Sequence, residues 1–198
     1  MIFNFFRRGR NDPAVTAVYV AIVAQARQPH FYARLGVPDT LEGRFDMMVL
    51  HAVLLFHRFS GEGAAARDFG QKVFDTFFLD MDRSLRELGA SDEGMKKKIT
   101  RMAEVFYGCA DAYASALDAG DDAALALALD RNVFMNAPDG AQTESRSLAD
   151  YTRAASGALA AQDPAAIVAG TLTWIDPAPF GPRSGGTTGA NASPERVE

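Results

Sequence analysis

Apolar side chains recur at spacings of three and four along most of this chain, the signature of amphipathic helices packed in layers. Asp12-Pro13 reads as N-cap and first helical residue, and Val15, Val18, Tyr19, Ile22 and Val23 follow as one stripe. That helix extends to about Gln28, where Pro29 stops it, and His30 to Leu35 supply one further turn. A second main helix runs from about Leu41 to Phe59. Its stripe of Phe45, Met48, Val49, Ala52, Phe56 and Phe59 is supplemented by Met47, Leu50, Leu54 and Leu55 on most of the remaining surface. A helix apolar nearly all round belongs at the centre of a bundle. After Gly61-Glu62-Gly63, a third helix from about Ala65 to Leu88 carries Val73, Phe74, Phe77, Phe78, Met81, Leu85 and Leu88, with Gly89 placed to end it. Ser91 or Asp92 caps a fourth, with Met95, Ile99, Met102, Ala103, Phe106 and Tyr107 at helical spacing.

Asp121 caps a fifth helix to about Asn132, Pro138-Asp139-Gly140 is a turn, a sixth helix spans about Ser147 to Ala161, and Pro164 opens a short seventh to about Thr171. From Pro177 the Pro-, Gly- and Ser-rich composition predicts disorder. No segment has the β-branched alternation of a strand, and no repeat is present. The expectation is an all-α fold of six or seven helices. Residues 1–12 form an arm, 13–174 one helical domain and 175–198 a disordered tail. Phe45, Val49, Phe56, Phe74, Phe77, Phe78, Phe106 and Tyr107 are the expected core.

The entry to the second main helix carries charge. In Leu35-Gly36-Val37-Pro38-Asp39-Thr40-Leu41-Glu42-Gly43-Arg44-Phe45-Asp46, Asp39 or Thr40 caps the helix, and Asp39-x-x-Glu42 has the spacing of a capping box. Arg44 and Asp46 then sit at the mouth of a buried helix, where charges must be paired or belong to a site. With Asp80, Asp82, Arg83, Arg86 and Glu87 of the third helix they form a charged set at helix ends. Asp82 with Arg86, and Arg83 with Glu87, stand four apart. Such a set serves as an internal ion-pair network or as the rim of a groove for a partner, and both readings stay open. Lys96-Lys97-Lys98 opposes the dipole near the start of its helix and answers to something outside it, or is a solvated face.

Composition narrows the function classes. A hydrophobic content of 48% suits a globular core, and fourteen Phe with seven Met favour adaptable apolar packing. The net charge of −5 is uneven. Residues 1–60 hold seven Arg against four acids, whereas residues 109–198 hold five basic against twelve acidic residues. This balance argues against specific DNA binding, which needs a domain-wide basic footprint. One cysteine excludes an internal disulfide and a thiolate metal cluster. The chain lacks a run of eighteen apolar residues, and Ile2, Phe3, Phe5 and Phe6 followed by Arg7, Arg8 and Arg10 are too short for a signal peptide or a membrane span. They fit weak contact with an anionic membrane.

Enzyme patterns fail in turn. His51 and His57 project from opposite sides of one helix, and no Glu-x-x-His occurs, so no metal site is expected. His51 on an apolar helix reads first as a hydrogen-bonded core residue. Asp80 and Asp82 do not share a face, and Asp118, Asp121 and Asp122 straddle a glycine turn. An isoprenoid-type helical enzyme or binding protein remains the alternative. It requires Asp75, Asp80, Asp118, Asp121 and Asp122 to converge on one cavity. Cys109 has no catalytic pattern around it.

Three ordered motifs carry a resemblance: residues 35–46, Asp80-Met81-Asp82-Arg83-Ser84-Leu85-Arg86-Glu87-Leu88-Gly89, and Met102-Ala103-Glu104-Val105-Phe106-Tyr107-Gly108. With Tyr32 and His51 they resemble the ubiquinol–cytochrome c chaperone family over roughly residues 15 to 117. Cys109 departs from the pattern, which has arginine after Phe-Tyr-Gly. The resemblance implies a non-enzymatic assembly factor without cofactor that attends newly made cytochrome b, or another subunit, of the bc1 complex in the respiratory chain. A ribosome, an anionic membrane surface and a second assembly factor are further expected partners. The expected location is bacterial and cytoplasmic, peripheral on the inner face of the cytoplasmic membrane. The candidate partner-binding residues are Tyr32, Arg44, Asp46, His51, Asp80, Asp82, Arg86, Lys96, Lys97 and Tyr107. Ile2, Phe3, Phe5, Phe6, Arg7 and Arg8 are the candidate membrane contacts.

Overall fold

Nine consecutive residues, Met47 to Leu55, are all buried, so the chain must surround this helix on every side. A computed structural model describes residues 12–87, 92–135 and 142–181. Six helices of 12 to 28 residues form the body: α1 (Pro13–Ala26), α3 (Leu41–Arg58), α4 (Ala64–Glu87), α5 (Asp92–Ala119), α6 (Asp122–Val133) and α7 (Gln142–Ala160). Two single-turn helices, α2 (Pro29–Ala33) and α8 (Pro164–Val168), join them. The described residues contain no strand, so the all-α expectation holds.

Capping sets the helix starts. Asp12, Asp121 and Asp163 each accept a backbone N–H from the first turn they precede. At α3 the cap is Thr40, whose Oγ1 accepts from the Gly43 N–H at 3.1 Å, while Asp39 turns outward to Arg44. The Asp39/Glu42 capping box therefore does not form. α3 packs against α1, α4, α5, α6 and α7, which is why it is apolar all round. α1 and α4 lie side by side and run parallel, because Asp12 pairs with Lys72 at 3.2 Å and Tyr19 donates to Asp80 at 2.7 Å, in the same order along both helices.

Three expectations need correction. α7 begins at Gln142, five residues before the expected Ser147. Ser147 lies inside the helix, and its hydroxyl donates to the Thr143 carbonyl, which lets a buried serine sit there. Ordered chain also continues past Pro177. Phe180 stacks edge-on to Tyr151 at 5.5 Å, and the Phe180 carbonyl meets the His30 ring, so residues 171–181 form a strap across the bundle. Composition undercounted them because a few aromatic anchors suffice to hold a short segment. Tyr107, expected in the core, is 62% exposed. Val49, Phe77, Phe78 and Phe106 are buried as expected, and Phe45, Phe56 and Phe74 are half-buried against that core. Leu88, Gly89, Ser91, the Pro138-Asp139-Gly140 turn and residues 1–11 and 182–198 lie outside the described residues.

Gly43 has a steric reason. A Cβ there would stand 2.1 Å from the Pro38 carbonyl oxygen, because residues 35–39 fold back over the first turn of α3. Gly43→Ala is therefore expected to destabilise the protein by about 2 kcal/mol or more, since backbone must move to admit the methyl. Chemical denaturation of the variant checks this, and an unchanged midpoint would mean that the turn is not packed as described.

Candidate functional site

Two of the three sequence motifs, far apart along the chain, meet through aromatic rings of α4, the helix that continues into the third. Phe45 of α3 contacts Phe77 of α4 with centroids 5.8 Å apart, and Phe77 contacts Phe106 of α5 at 6.1 Å. Phe74 extends the ladder to Phe78 at 4.6 Å, Phe106 at 5.1 Å and Tyr107 at 5.9 Å. Edge-on and tilted arrangements of this kind add to area burial and hold three helices in register. The ladder is not closed on its outer side. Tyr107 is largely exposed, Leu41 is 60% exposed one turn before Phe45, and Phe45, Phe74, Met81, Met102 and Val105 are half-buried. The result is an apolar, Phe- and Met-lined face on α3, α4 and α5.

The charged set does not form one network. Arg44 pairs with Asp39 at 2.7 Å, Arg86 with Asp82 at 2.9 Å and Arg83 with Glu87 at 3.1 Å, all local and solvent-exposed. Asp80 accepts from Tyr19, and burial together with that carboxylate raises the pKa of the phenol. Asp46 differs from the rest. It is half-buried, and among the described residues it has no hydrogen-bond donor and no cation. Burial, with Glu42 one turn away, pushes its carboxyl up to about 7. Cys109 and Tyr113 of α5 feel its charge. Burial pushes the Cys109 thiol up to about 11, so this sulfur stays protonated and is a poor nucleophile.

His51 belongs inside the core, not at a partner surface: it has no exposure at all. Its Nδ1 meets the Met47 carbonyl at 2.7 Å, and its Nε2 meets the Tyr151 hydroxyl at 2.8 Å. Gln25 donates to the same hydroxyl at 3.0 Å and to the Ile175 carbonyl at 2.8 Å. The Trp174 ring stands edge-on to the imidazole at 4.9 Å. The network ties α1, α3 and α7 to the strap, and burial lowers the His51 pKa to about 4. Its members Gln25, Tyr151, Trp174 and Phe180 went unseen in the sequence. The one signal was Gln25, a polar residue interrupting the last turn of an apolar helix.

The other candidates are placed as follows. Tyr32 is half-buried, and its hydroxyl donates to the Ala26 carbonyl at 2.7 Å, bracing α2 against the end of α1. Lys97 is exposed, whereas the Lys96 side chain and the arm with Ile2, Phe3, Phe5, Phe6, Arg7 and Arg8 fall outside the described residues. The acids proposed for an isoprenoid-type site are dispersed. Asp75 accepts from Gln71, Asp118 meets His57, Asp121 caps α6 and Asp122 pairs with Arg153. A cavity of about 830 Å³ between α6 and α7 includes only Asp122 of these, beside Asp130, Arg146 and Asp150, and no residue of the aromatic face. No group of three His, Cys, Asp or Glu side chains able to hold a metal occurs among the described residues.

Comparison with known proteins matches this arrangement. Residues 33–174 match the family described as ubiquinol-cytochrome C chaperone. The crystal structure of the Cbp3 homolog from Brucella abortus is 40% identical, superposes with a TM-score of 0.78, and covers 91% of this chain and 99% of its own. Ubiquinol-cytochrome-c reductase complex assembly factor 1 of Xenopus laevis is 26% identical over 121 residues, which are 61% of this chain and 60% of that protein. The mouse assembly factor 1 matches over the same length at 26%, or 41% of its own. The chain thus spans less than two thirds of the length of these vertebrate relatives. The family match covers all of the motif segments and the strap as far as Trp174, and the chain belongs to the ubiquinol-cytochrome c chaperone family.

Proposed function

We propose that this protein is a non-enzymatic assembly factor of the cytochrome bc1 complex, and that it holds newly made cytochrome b by the aromatic face of α3, α4 and α5. The observation that carries the reading is the meeting of two family motifs, through Phe45, Phe106 and Tyr107, around Phe74 and Phe77 of α4, the helix that continues into the third motif. An apolar membrane helix that has not yet reached its partners needs a temporary apolar surface, and half-exposed Phe and Met side chains adapt to varied helices. Arg44, Arg86 and Lys97 are exposed polar groups, and Asp82 a half-buried one, suited to the loops that flank such a helix. The isoprenoid-type alternative is disfavoured by the dispersal of its acids over α4, α5 and α6.

The test is genetic and spectroscopic. Under growth that demands the bc1 complex, a strain lacking this protein is expected to lose most of its dithionite-reduced cytochrome b signal, and the wild-type gene is expected to restore it. A normal signal in the deleted strain would overturn the reading. A Tyr107→Ala protein that melts normally should restore the signal only partly.

The same reading places the protein peripherally at the cytoplasmic face of the membrane. No helix among the described residues is long and apolar enough to cross a bilayer. The arm supplies Ile2, Phe3, Phe5 and Phe6 beside Arg7, Arg8 and Arg10. Each basic residue near an anionic surface contributes about 1 kcal/mol. Removal of residues 1–10 is therefore expected to weaken binding to phosphatidylglycerol vesicles at least tenfold in low salt. Equal binding by both proteins in a flotation assay would dismiss the arm as a membrane contact.

A further inference from the structure

The arm joins the fold at a fixed point close to the aromatic face. Asp12 caps α1, and its carboxylate meets the Lys72 ammonium of α4 at 3.2 Å. Phe74 lies two residues further along α4. The inner way round the helix passes the buried Val73; round the solvent side, Lys72 and Phe74 are about 160° apart, an arc of about 15 Å. The six residues from Asp12 back to Phe6 span up to about 20 Å when extended. The surface to be crossed is acidic. Asp68, Asp75 and Asp82 stand seven apart and form one stripe on the solvent side of α4, between Lys72 and Phe74. Asp75 accepts from the neutral Gln71 amide, and Asp68 has no ion pair among the described residues. On α5, the exposed Tyr107 shares its stripe with exposed Glu104 and Asp111, which also have no ion pair among the described residues. The arm carries the complement in the matching order. Counting back from Asp12, Arg10, Arg8 and Arg7 come first, and Phe6, Phe5, Phe3 and Ile2 follow. The path from Lys72 likewise meets the acids first and the aromatic rings second.

We propose that in the free protein this chain's own arm covers the aromatic face, with Arg7, Arg8 and Arg10 over the Asp68 and Asp75 stripe and Phe3, Phe5 and Phe6 against Phe74 and Tyr107. The inference needs the face to be apolar and exposed, and it does not need the client to be cytochrome b. An uncovered patch of Phe and Met invites self-association. A tethered segment is present at a high effective concentration, so it shields such a patch without tight binding. The cover also yields readily, because exposed ion pairs contribute little each and weaken with salt. An anionic membrane competes for the same Arg and Phe side chains. Arrival at the bilayer therefore draws the arm away and opens the face where an apolar client emerges.

The experiment follows disulfide formation in full-length chains under mild oxidation. Gly108 of α5, beside Tyr107, and Gly157 of α7 are both exposed, and a Cβ at either meets nothing within 4 Å. Phe3→Cys with Gly108→Cys is expected to close within one chain about tenfold faster than Phe3→Cys with Gly157→Cys. Phe3→Cys alone, with the buried Cys109 as the only other thiol, is the blank. Adding Asp68→Asn and Asp75→Asn should slow the Gly108→Cys closure to the Gly157→Cys rate. Equal rates at the two positions, or a closure indifferent to the two acids, overturns the cover. A disulfide that joins two chains overturns it as well, because the arm then covers a second copy. A further measurement leaves the folded body unaltered: Phe3→Ser, Phe5→Ser and Phe6→Ser together should raise the fluorescence of the apolar dye 8-anilinonaphthalene-1-sulfonate severalfold, and unchanged fluorescence overturns the cover. None of these outcomes alters the cytochrome b signal expected of the deleted strain, so the cover and the client reading fail separately.

Discussion

Replacing Phe106 by Ala is expected to destabilise the protein by about 3–5 kcal/mol, the cost of emptying a large aromatic site in a packed core. The size follows from its neighbours. Phe106 is 3% exposed and lies within ring contact of Phe56, Phe74, Phe77, Phe78 and Tyr107, so the cavity borders side chains from α3, α4 and α5 together. Helices hold their positions through these rings, and the polar contacts across the junction are few. Little is therefore available to collapse into the gap. Phe74→Ala should cost less, because Phe74 is already half-exposed on the outer side. Urea denaturation of the two variants gives the comparison. Equal losses would mean that the outer side is covered by something, and a negligible loss for Phe106→Ala would mean that the ladder is not the junction's core.

That junction was largely legible in the sequence, and the reasons are physical. A helix periodicity maintained over long segments reports which face is buried, so α1, α3, α4 and α5 and most of their core residues follow directly from spacing. Tyr107 marks the limit of that inference. It continues the stripe of Met102, Ala103 and Phe106, yet it turns outward, because periodicity fixes an angle around the helix and not the presence of a neighbour at that angle. The charged residues show a second limit. Arg44 and Asp46 are two apart and look like one feature, but the backbone aims them differently. Arg44 finds Asp39 in solvent, whereas Asp46 is half-buried. The His51 network was out of reach for a third reason. It is assembled from Gln25, Tyr151 and the strap at Trp174 and Ile175, across separations of 100 to 150 residues that no local pattern encodes. The strap's place in it depends on Trp174, Pro177 and Phe180, in a segment whose composition resembles a tail.

Asp46→Asn is expected to raise stability at pH 8 and to lose that advantage as pH falls. In the folded protein the carboxyl titrates near 7, against an ordinary value of 3.8, because burial disfavours the charged form and Glu42 opposes it. Between those values the folded state holds a proton that the unfolded chain releases. The Asp46 contribution thus stabilises the fold as pH falls from about 7 towards 3.8 and penalises it above 7. The penalty at pH 8 is on the order of 2 kcal/mol once the partial exposure of the group is allowed for. His51 acts in the opposite sense. Its folded value is about 4 against an ordinary 6.5, so the unfolded chain takes up a proton that the folded protein refuses, and stability is lost as pH falls from about 6.5 towards 4. In the wild type the two effects oppose one another across the shared interval, and the melting temperature should vary little there. The Asp46→Asn protein keeps only the histidine term. Its melting temperature should exceed the wild-type value at pH 8, fall steeply below pH 6.5, and converge on the wild type near pH 4. A variant less stable than the wild type at pH 8 would show that Asp46 already has a cationic partner within the protein.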